Sequence, residues 1–155
     1  MPDNACMWID DRGSEVLALP ECRRLLALGA KRRSHGHIGV PTEEAPLVLP
    51  LDYTVNDSGV VLRMGEGLFH RVNGRLVGFQ VDNTSDGMEW HSEGVEGRWS
   101  VLLRGPATEL DPSTTDVQLP EPRVAEPGSR LVQVRADLVT GRRLRTSAPT
   151  VVSEP

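Results

Sequence analysis

Apolar positions change period along this chain, and the change separates one helix from a series of strands. In LPECRRLLALGA, Cys22, Leu25, Leu26 and Gly29 fall at i, i+3, i+4 and i+7, which is one face of a helix. Pro20 suits the first turn, and Gly29 offers a stop. The period then becomes two. In APLVLPLDYTVN the odd positions Leu47, Leu49, Leu51, Tyr53 and Val55 point to one face, the mark of a half-buried strand. Asn56-Asp57-Ser58-Gly59 supplies turn chemistry, so VVLRM is predicted to return antiparallel as its hairpin partner. After Asn73-Gly74 the segment RLVGFQVD places Val77, Phe79 and Val81 on one face. In RWSVLLRGPATEL, Trp99, Val101 and Leu103 share one face and Ser100, Leu102 and Arg104 the other. RLVQVRADLVTGRRL offers a last strand, and HIGV an opening one.

Six strand candidates with one clear helix and no helical crossovers predict antiparallel pairing. A small barrel is the economical closure, because it leaves no long bare edge. Residues 1–13 lack a period and are predicted to form a flexible arm, residues 14–146 the domain, and residues 147–155 a tail. The Pro-, Ser- and acid-rich stretch DPSTTDVQLPEPRVAEPGS reads as a surface connection within that domain.

Composition narrows the function. The 155 residues carry 22 acids against 17 bases, a net charge of −5, whereas nonspecific nucleic-acid or anionic-membrane binding needs a positive field. The longest apolar runs, VLAL and PLVLPL, are far shorter than the roughly 20 residues that cross a bilayer. The N-terminal MPDNACMWIDDRG carries acids where a secretory signal has a basic region and an apolar core. Cys6 and Cys22 form neither a disulfide framework nor a metal-ligand spacing. Together these features predict a reduced, cytoplasmic protein with no nucleic-acid or membrane partner.

The candidate chemistry is sparse. In GVVLRMGEGLFHR a strand-end Arg63 precedes Gly65 and Gly67, the cation and exposed backbone N–H groups that a phosphate requires, although an ordinary glycine-rich turn has the same composition. The phosphate-loop consensus of nucleotide hydrolases is absent. His35 and His37 share a strand face without evident further ligands, while His70 and His91 are isolated, so no metal site is expected. No Gly-x-Ser-x-Gly elbow is present, and Cys22 reads as a small buried hydrophobe. Trp99-Ser100 offers either a ring edge and a hydroxyl to a flat ligand or a core tryptophan with a solvated neighbour. Arg142, Arg143 and Arg145 form a basic run, and Asp82, Asp86, Glu89 and Glu93 an acidic loop; both also suit a solvated surface.

Taken in order, ECRRLLA, HIGV, PLVLPLDYTV, GVVLRMGEG, VGFQVD, RWSVLLRGPA and VTGRRL resemble the pyridoxamine 5′-phosphate oxidase-like family of flavin-binding split barrels, from about Leu19 to Leu144. The branch most resembled is a short, actinobacterial-type group with a Cys-containing first helix, a Pro-Val-Asn-Tyr strand, a Phe-Arg-Thr strand end and a Gly-Trp-Ser-Val strand. The resemblance implies a mainly β, six-stranded antiparallel split barrel with one or two short helices. It implies a homodimer with FMN in clefts at the subunit interface, and a flavin-dependent oxidoreductase acting on a small molecule. By the same carry-over, Leu62, Arg63 and Met64 with Gly67, Leu68 and Phe69 wrap the ribityl phosphate. Pro50, Leu51 and Asp52 lie along the isoalloxazine, and Trp99 and Ser100 approach the ring from a neighbouring strand. No side-chain acid or base is implied, because the redox chemistry belongs to the flavin.

Two departures from the family pattern open alternatives. Gly67-Leu68-Phe69 stands where relatives carry Gly-Thr-Lys, and Asp52 where they carry Asn. Each lost charge-assisted hydrogen bond is worth about 1.5 to 3 kcal/mol, tenfold or more in affinity. The alternatives are a deazaflavin protein, a non-catalytic ligand-binding barrel, or a member without a cofactor. Arg32 and Arg33, beside Lys31, are the cations that could compensate.

Overall fold

The alternating segments become strands β2 (His35–Val40), β3 (Leu47–Val55), β4 (Gly59–Met64), β5 (Leu76–Asp82), β6 (Arg98–Glu109), β7 (Arg130–Arg135) and β8 (Leu138–Leu144), preceded by a short β1 (Ser14–Val16). Two α-helices, α1 (Leu19–Lys31) and α2 (Glu66–Val72), and a short 3-10 turn (Pro112–Thr114) complete the order among the described residues. The computed structural model describes residues 14–32, 35–83, 97–114 and 128–144. The expected arm 1–13, the tail 147–155, Cys6, Arg33, Arg145, His91, the loop acids Asp86, Glu89 and Glu93, and most of the Pro-rich connection lie outside them.

Every described pairing is antiparallel, and the sheet runs β1-β8-β6-β5-β2-β3-β4-β7. The long β6 closes it. One edge of β6 pairs with β5; the other pairs with β8 through Arg98–Arg104 and then with β7 through Ala107–Glu109. β6, β5, β2, β3, β4 and β7 therefore form a six-stranded antiparallel barrel, split where β6 changes partner, with β8 and β1 extending the sheet beyond it. The predicted barrel is the observed one.

The interior follows the predicted faces. Tyr53, Val77, Phe79, Val81, Trp99, Val101 and Leu103 are buried together, and α1 packs Cys22, Leu25, Leu26 and Gly29 against them. Fully burying each large side chain contributes about 1.5 to 3 kcal/mol. The Tyr53 hydroxyl donates to the Leu26 carbonyl at 2.6 Å and ties β3 to the helix. Gly29 is not a stop. The helix continues to Lys31, and a Cβ at residue 29 would lie 2.4 Å from the Tyr53 hydroxyl oxygen. That position needs glycine because β3 approaches there.

The predicted last strand is in fact the hairpin β7–β8, turning at Ala136–Asp137. Two distant glycines leave room for this bend. A Cβ at Gly105 would lie 1.7 Å from the Arg135 carbonyl oxygen, and one at Gly59 would lie 2.0 Å from that of Val134. The Ala136 N–H donates to Ser58 O at 2.8 Å. At the other hairpin, Asn56 Oδ1 accepts from the N–H groups of Ser58 and Gly59, as its turn chemistry predicted. Asn83 joins the two ends of the β5–β6 connection: its Nδ2 donates to Gly97 O, and its Oδ1 accepts from the Trp99 N–H.

Candidate functional site

Alternation sorts the sequence-predicted residues into two sets. The side chains of Leu62, Met64, Phe69 and Trp99 are buried in the core, and Leu51 is half-buried against it. Only the backbone of the fully buried ones can face a ligand. Pro50, Asp52, Arg63 and Ser100 alternate with these and lie on the outer surface of the sheet.

Arg63 is the charged centre of this outer set. It is half-buried, and its Nη1 donates to Ser129 Oγ at 3.0 Å. Tyr53 pairs with Leu62 across β3 and β4, so one further step in register sets Asp52 beside Arg63 on the outer face. Asp52 is in turn the cross-strand partner of His35. On its other side the Ser129 corner leads to a second charged group. Arg130 pairs with Glu109 at 2.9 Å and with Glu66 at 3.4 Å, and its guanidinium lies 4.9 Å over the Phe69 ring.

The segment expected as a phosphate-wrapping loop is helix α2, with Gly65 at its N-cap. Phe69 and Val72, one turn apart, are buried and hold it to the barrel, an i, i+3 pair that outweighs the two glycines. The Phe69 N–H is already taken by Gly65 O at 3.0 Å. Leu68 packs partly against the core, while Gly67 is exposed with open space about it. A lysine at residue 69 would therefore start inside the barrel, so Phe69 is a core residue rather than a missing surface cation.

Ser100 belongs to a separate patch. Gln80 Nε2 donates to Asp82 Oδ2 at 2.9 Å and to Ser100 Oγ at 3.0 Å, and Ser100 pairs across strands with Arg142, whose Nη1 donates to Ser14 Oγ. β2 and β5 separate β3 from β6. Three strand spacings, about 14 Å, thus divide Ser100 from Asp52 within one chain. His35 and His37 share the outer face with ring centroids 5.9 Å apart, and among the described residues no group of three or more His, Cys, Asp or Glu is placed to hold a metal. Burial pushes the Cys22 thiol upward, which suits a packing role. Among the described residues no helix is long and apolar enough to cross a membrane.

Sequence reasoning missed Ser129, Glu66 and Arg130. Ser129 meets Arg63 only because β7 pairs with β4, a contact 66 residues apart that no local pattern announces.

A closed six-stranded antiparallel ring split at a long shared strand, with a helix packed into it, defines the class of split barrels. The family profile described as pyridoxamine 5′-phosphate oxidase matches residues 20–143, and the chain belongs to the pyridoxamine 5′-phosphate oxidase-like family. An FAD binding protein from Mycobacterium smegmatis is similar at 26% identity over 85% of this chain and 99% of that one, with a TM-score of 0.61. A conserved protein of unknown function from Corynebacterium diphtheriae is similar in fold at 20% identity, covering 84% of this chain and 97% of that one, TM-score 0.62. So is an FAD-binding protein from Mesorhizobium loti at 19% identity, covering 84% and 98%, TM-score 0.57. No curated protein sequence matches the chain.

Proposed function

We propose that this chain is a flavin-binding split-barrel protein that acts as a flavin-dependent oxidoreductase on a small molecule, working as a cytoplasmic homodimer. The observation that carries this reading is Arg63: a half-buried guanidinium on the outer sheet face, steadied by Ser129 at the point where β4 enters α2. A half-buried arginine is a strong partner for a phosphate oxygen, since its hydrogen bonds are charge-assisted and its fork is pre-oriented. The similar Mycobacterium smegmatis and Mesorhizobium loti proteins, described as FAD-binding, support a flavin as the ligand class.

Bound flavin would supply the electron or hydride chemistry. The chain's own contributions are simpler. Arg63 holds the phosphate, Pro50 presents a flat apolar edge on β3, and Asp52 sets the charge beside both. Ser100 belongs to the same cleft only if a second copy brings its β6 face across. A dimer is supported by the outer row Val48, Gly39, Gly78, Arg104 and Leu138, which runs in register over five strands. Its ends are apolar and exposed, Val48 at 60% and Leu138 at 48%, and Gly39 and Gly78 carry no side chain between them.

A second reading, a barrel that has lost its cofactor, is favoured by one observation: Leu68 and the buried Phe69 offer no side-chain donor where a phosphate would sit. Equilibrium titration decides between them. Arg63→Ala is expected to weaken FMN binding roughly tenfold to a hundredfold while changing riboflavin affinity far less, since riboflavin lacks the phosphate. Equal losses for both ligands would show that Arg63 is not the phosphate partner.

A further inference from the structure

Gln80 carries a fixed, open acceptor on the outer sheet face. It alternates with the buried Phe79 and Val81 on β5 and is itself half-buried. Its Nε2 donates to Asp82 Oδ2 at 2.9 Å and to Ser100 Oγ at 3.0 Å, which commits both amide hydrogens. The amide cannot be turned round, because its carbonyl oxygen would then face a carboxylate, two acceptors together. Oε1 is therefore the open end, and it accepts no hydrogen bond among the described residues. The cross-strand partner of Gln80 is His37 on β2. His37 in turn opposes Pro50 on β3, and Gln80 opposes Leu102 on β6. The register thus draws one row, Pro50, His37, Gln80 and Leu102, with an imidazole beside an amide oxygen and an apolar residue at either end. His37 offers an N–H in either neutral tautomer. Directly opposed residues have Cβ atoms about 4.5 to 5.5 Å apart, so this donor and acceptor can meet adjacent groups of one ligand.

We infer that His37 and Gln80 read the imide edge of a planar heterocycle, Gln80 Oε1 accepting from the ring N–H and His37 donating to the carbonyl beside it; the inference rests on the flavin reading above. The pyrimidine-dione end of an isoalloxazine carries this edge, and a deazaflavin carries the same one. What the pair recognises is thus a C=O–N–H group, whatever tail the ring bears. Pro50 and Leu102 flank the pair with apolar surface for the rest of the ring. Ser100 is a positioning residue in this arrangement: it holds the amide of Gln80 with Oε1 outward and need not touch the ligand. A ring methylated at the imide nitrogen loses the donor and leaves Oε1 unpaired against a methyl group.

The test uses fluorescence quenching with FMN, its 5-deaza analogue and its N3-methyl analogue. All three share one phosphate, so any phosphate contact cancels from their ratios. Wild type is expected to bind FMN and the 5-deaza analogue about threefold to tenfold more tightly than the N3-methyl analogue, the range of one neutral hydrogen bond. Gln80→Met, of similar length without the amide, should weaken FMN and bring that ratio toward one, whereas a purely steric rejection of the methyl group would persist. Gln80→Asn keeps the amide but withdraws it by one methylene, and should give the same result if loss of the bonds to Asp82 and Ser100 unsettles the methionine variant. His37→Leu should weaken all three ligands alike, because each keeps the carbonyl. Equal binding of FMN and its N3-methyl analogue by wild type, a ratio that survives in the Gln80 variants, or unchanged affinities in His37→Leu overturns the inference and leaves the flavin reading standing. Silence of all three ligands overturns it as well, and the flavin reading falls with it only if FAD also leaves the protein unquenched.

Discussion

Tyr53 is the chain's single tyrosine, and its surroundings make sharp predictions at the scale of one residue. Burial pushes the phenol's pKa well above its ordinary value, with the hydroxyl bonded to Leu26 O. The folded state thus keeps a proton that the unfolded chain loses. Its contribution to stability is complete below the ordinary tyrosine value of about 10 and is lost as pH rises toward the folded value. The absorbance of tyrosinate should accordingly stay absent near pH 10 in the native protein and appear only with unfolding, while Tyr53→Phe should flatten the alkaline loss of stability. Gly29→Ala should cost about 1 to 3 kcal/mol by thermal denaturation, because its Cβ meets the Tyr53 hydroxyl at 2.4 Å. In the Tyr53→Phe background the cost should shrink or reverse, since alanine gains about 1 kcal/mol of helix propensity over glycine. The sequence showed that residue 29 faces the core; it could not show which atom would meet it there.

Among elements, the strands were legible and their turns only partly so. β5 and β6 each bury one face of an alternation, and β3 half-buries Leu47, Leu49 and Leu51 beside the buried Tyr53, so their faces could be assigned from sequence. The boundary between β7 and β8 is hidden in the sequence because Ala136-Asp137 carries little turn signal, and the close approach of this hairpin to the barrel is permitted by the distant Gly59 and Gly105. α2 was hidden by Gly65 and Gly67, although Phe69 and Val72 already had helical spacing. Three glycines should consequently respond differently to alanine. Gly105→Ala should cost roughly 3 kcal/mol or more, or prevent folding, because a Cβ there collides with the β7 backbone. Gly59→Ala should behave likewise. Gly67→Ala, with open space about it on α2, should be neutral or stabilising by up to about 1 kcal/mol. Chemical denaturation of the three variants measures the contrast. Equal effects would mean that the close strand approaches do not shape the barrel.

For the whole molecule, the order of short segments carried the family and the barrel, while the site depends on contacts that sequence order conceals. Arg63 stands out in a local pattern, a strand end followed by Gly65 and Gly67. Its partner Ser129 becomes a neighbour only once β7 lies beside β4, and Ser100 stays about three strands from Asp52 within one chain. A complete cleft built from β3, β4 and β6 would therefore require a second subunit, and sedimentation velocity at micromolar concentration should find a dimer. A strictly monomeric profile would dismiss the shared cleft. Flavin binding is tested by an equilibrium titration of the unmodified protein with riboflavin, FMN, FAD and a deazaflavin. Saturable quenching by at least one of these, at one site per chain and with a dissociation constant of about ten micromolar or tighter, is the predicted result. A protein that purifies colourless and leaves all four unquenched at tens of micromolar would contradict it, and the barrel would then be a scaffold without a flavin.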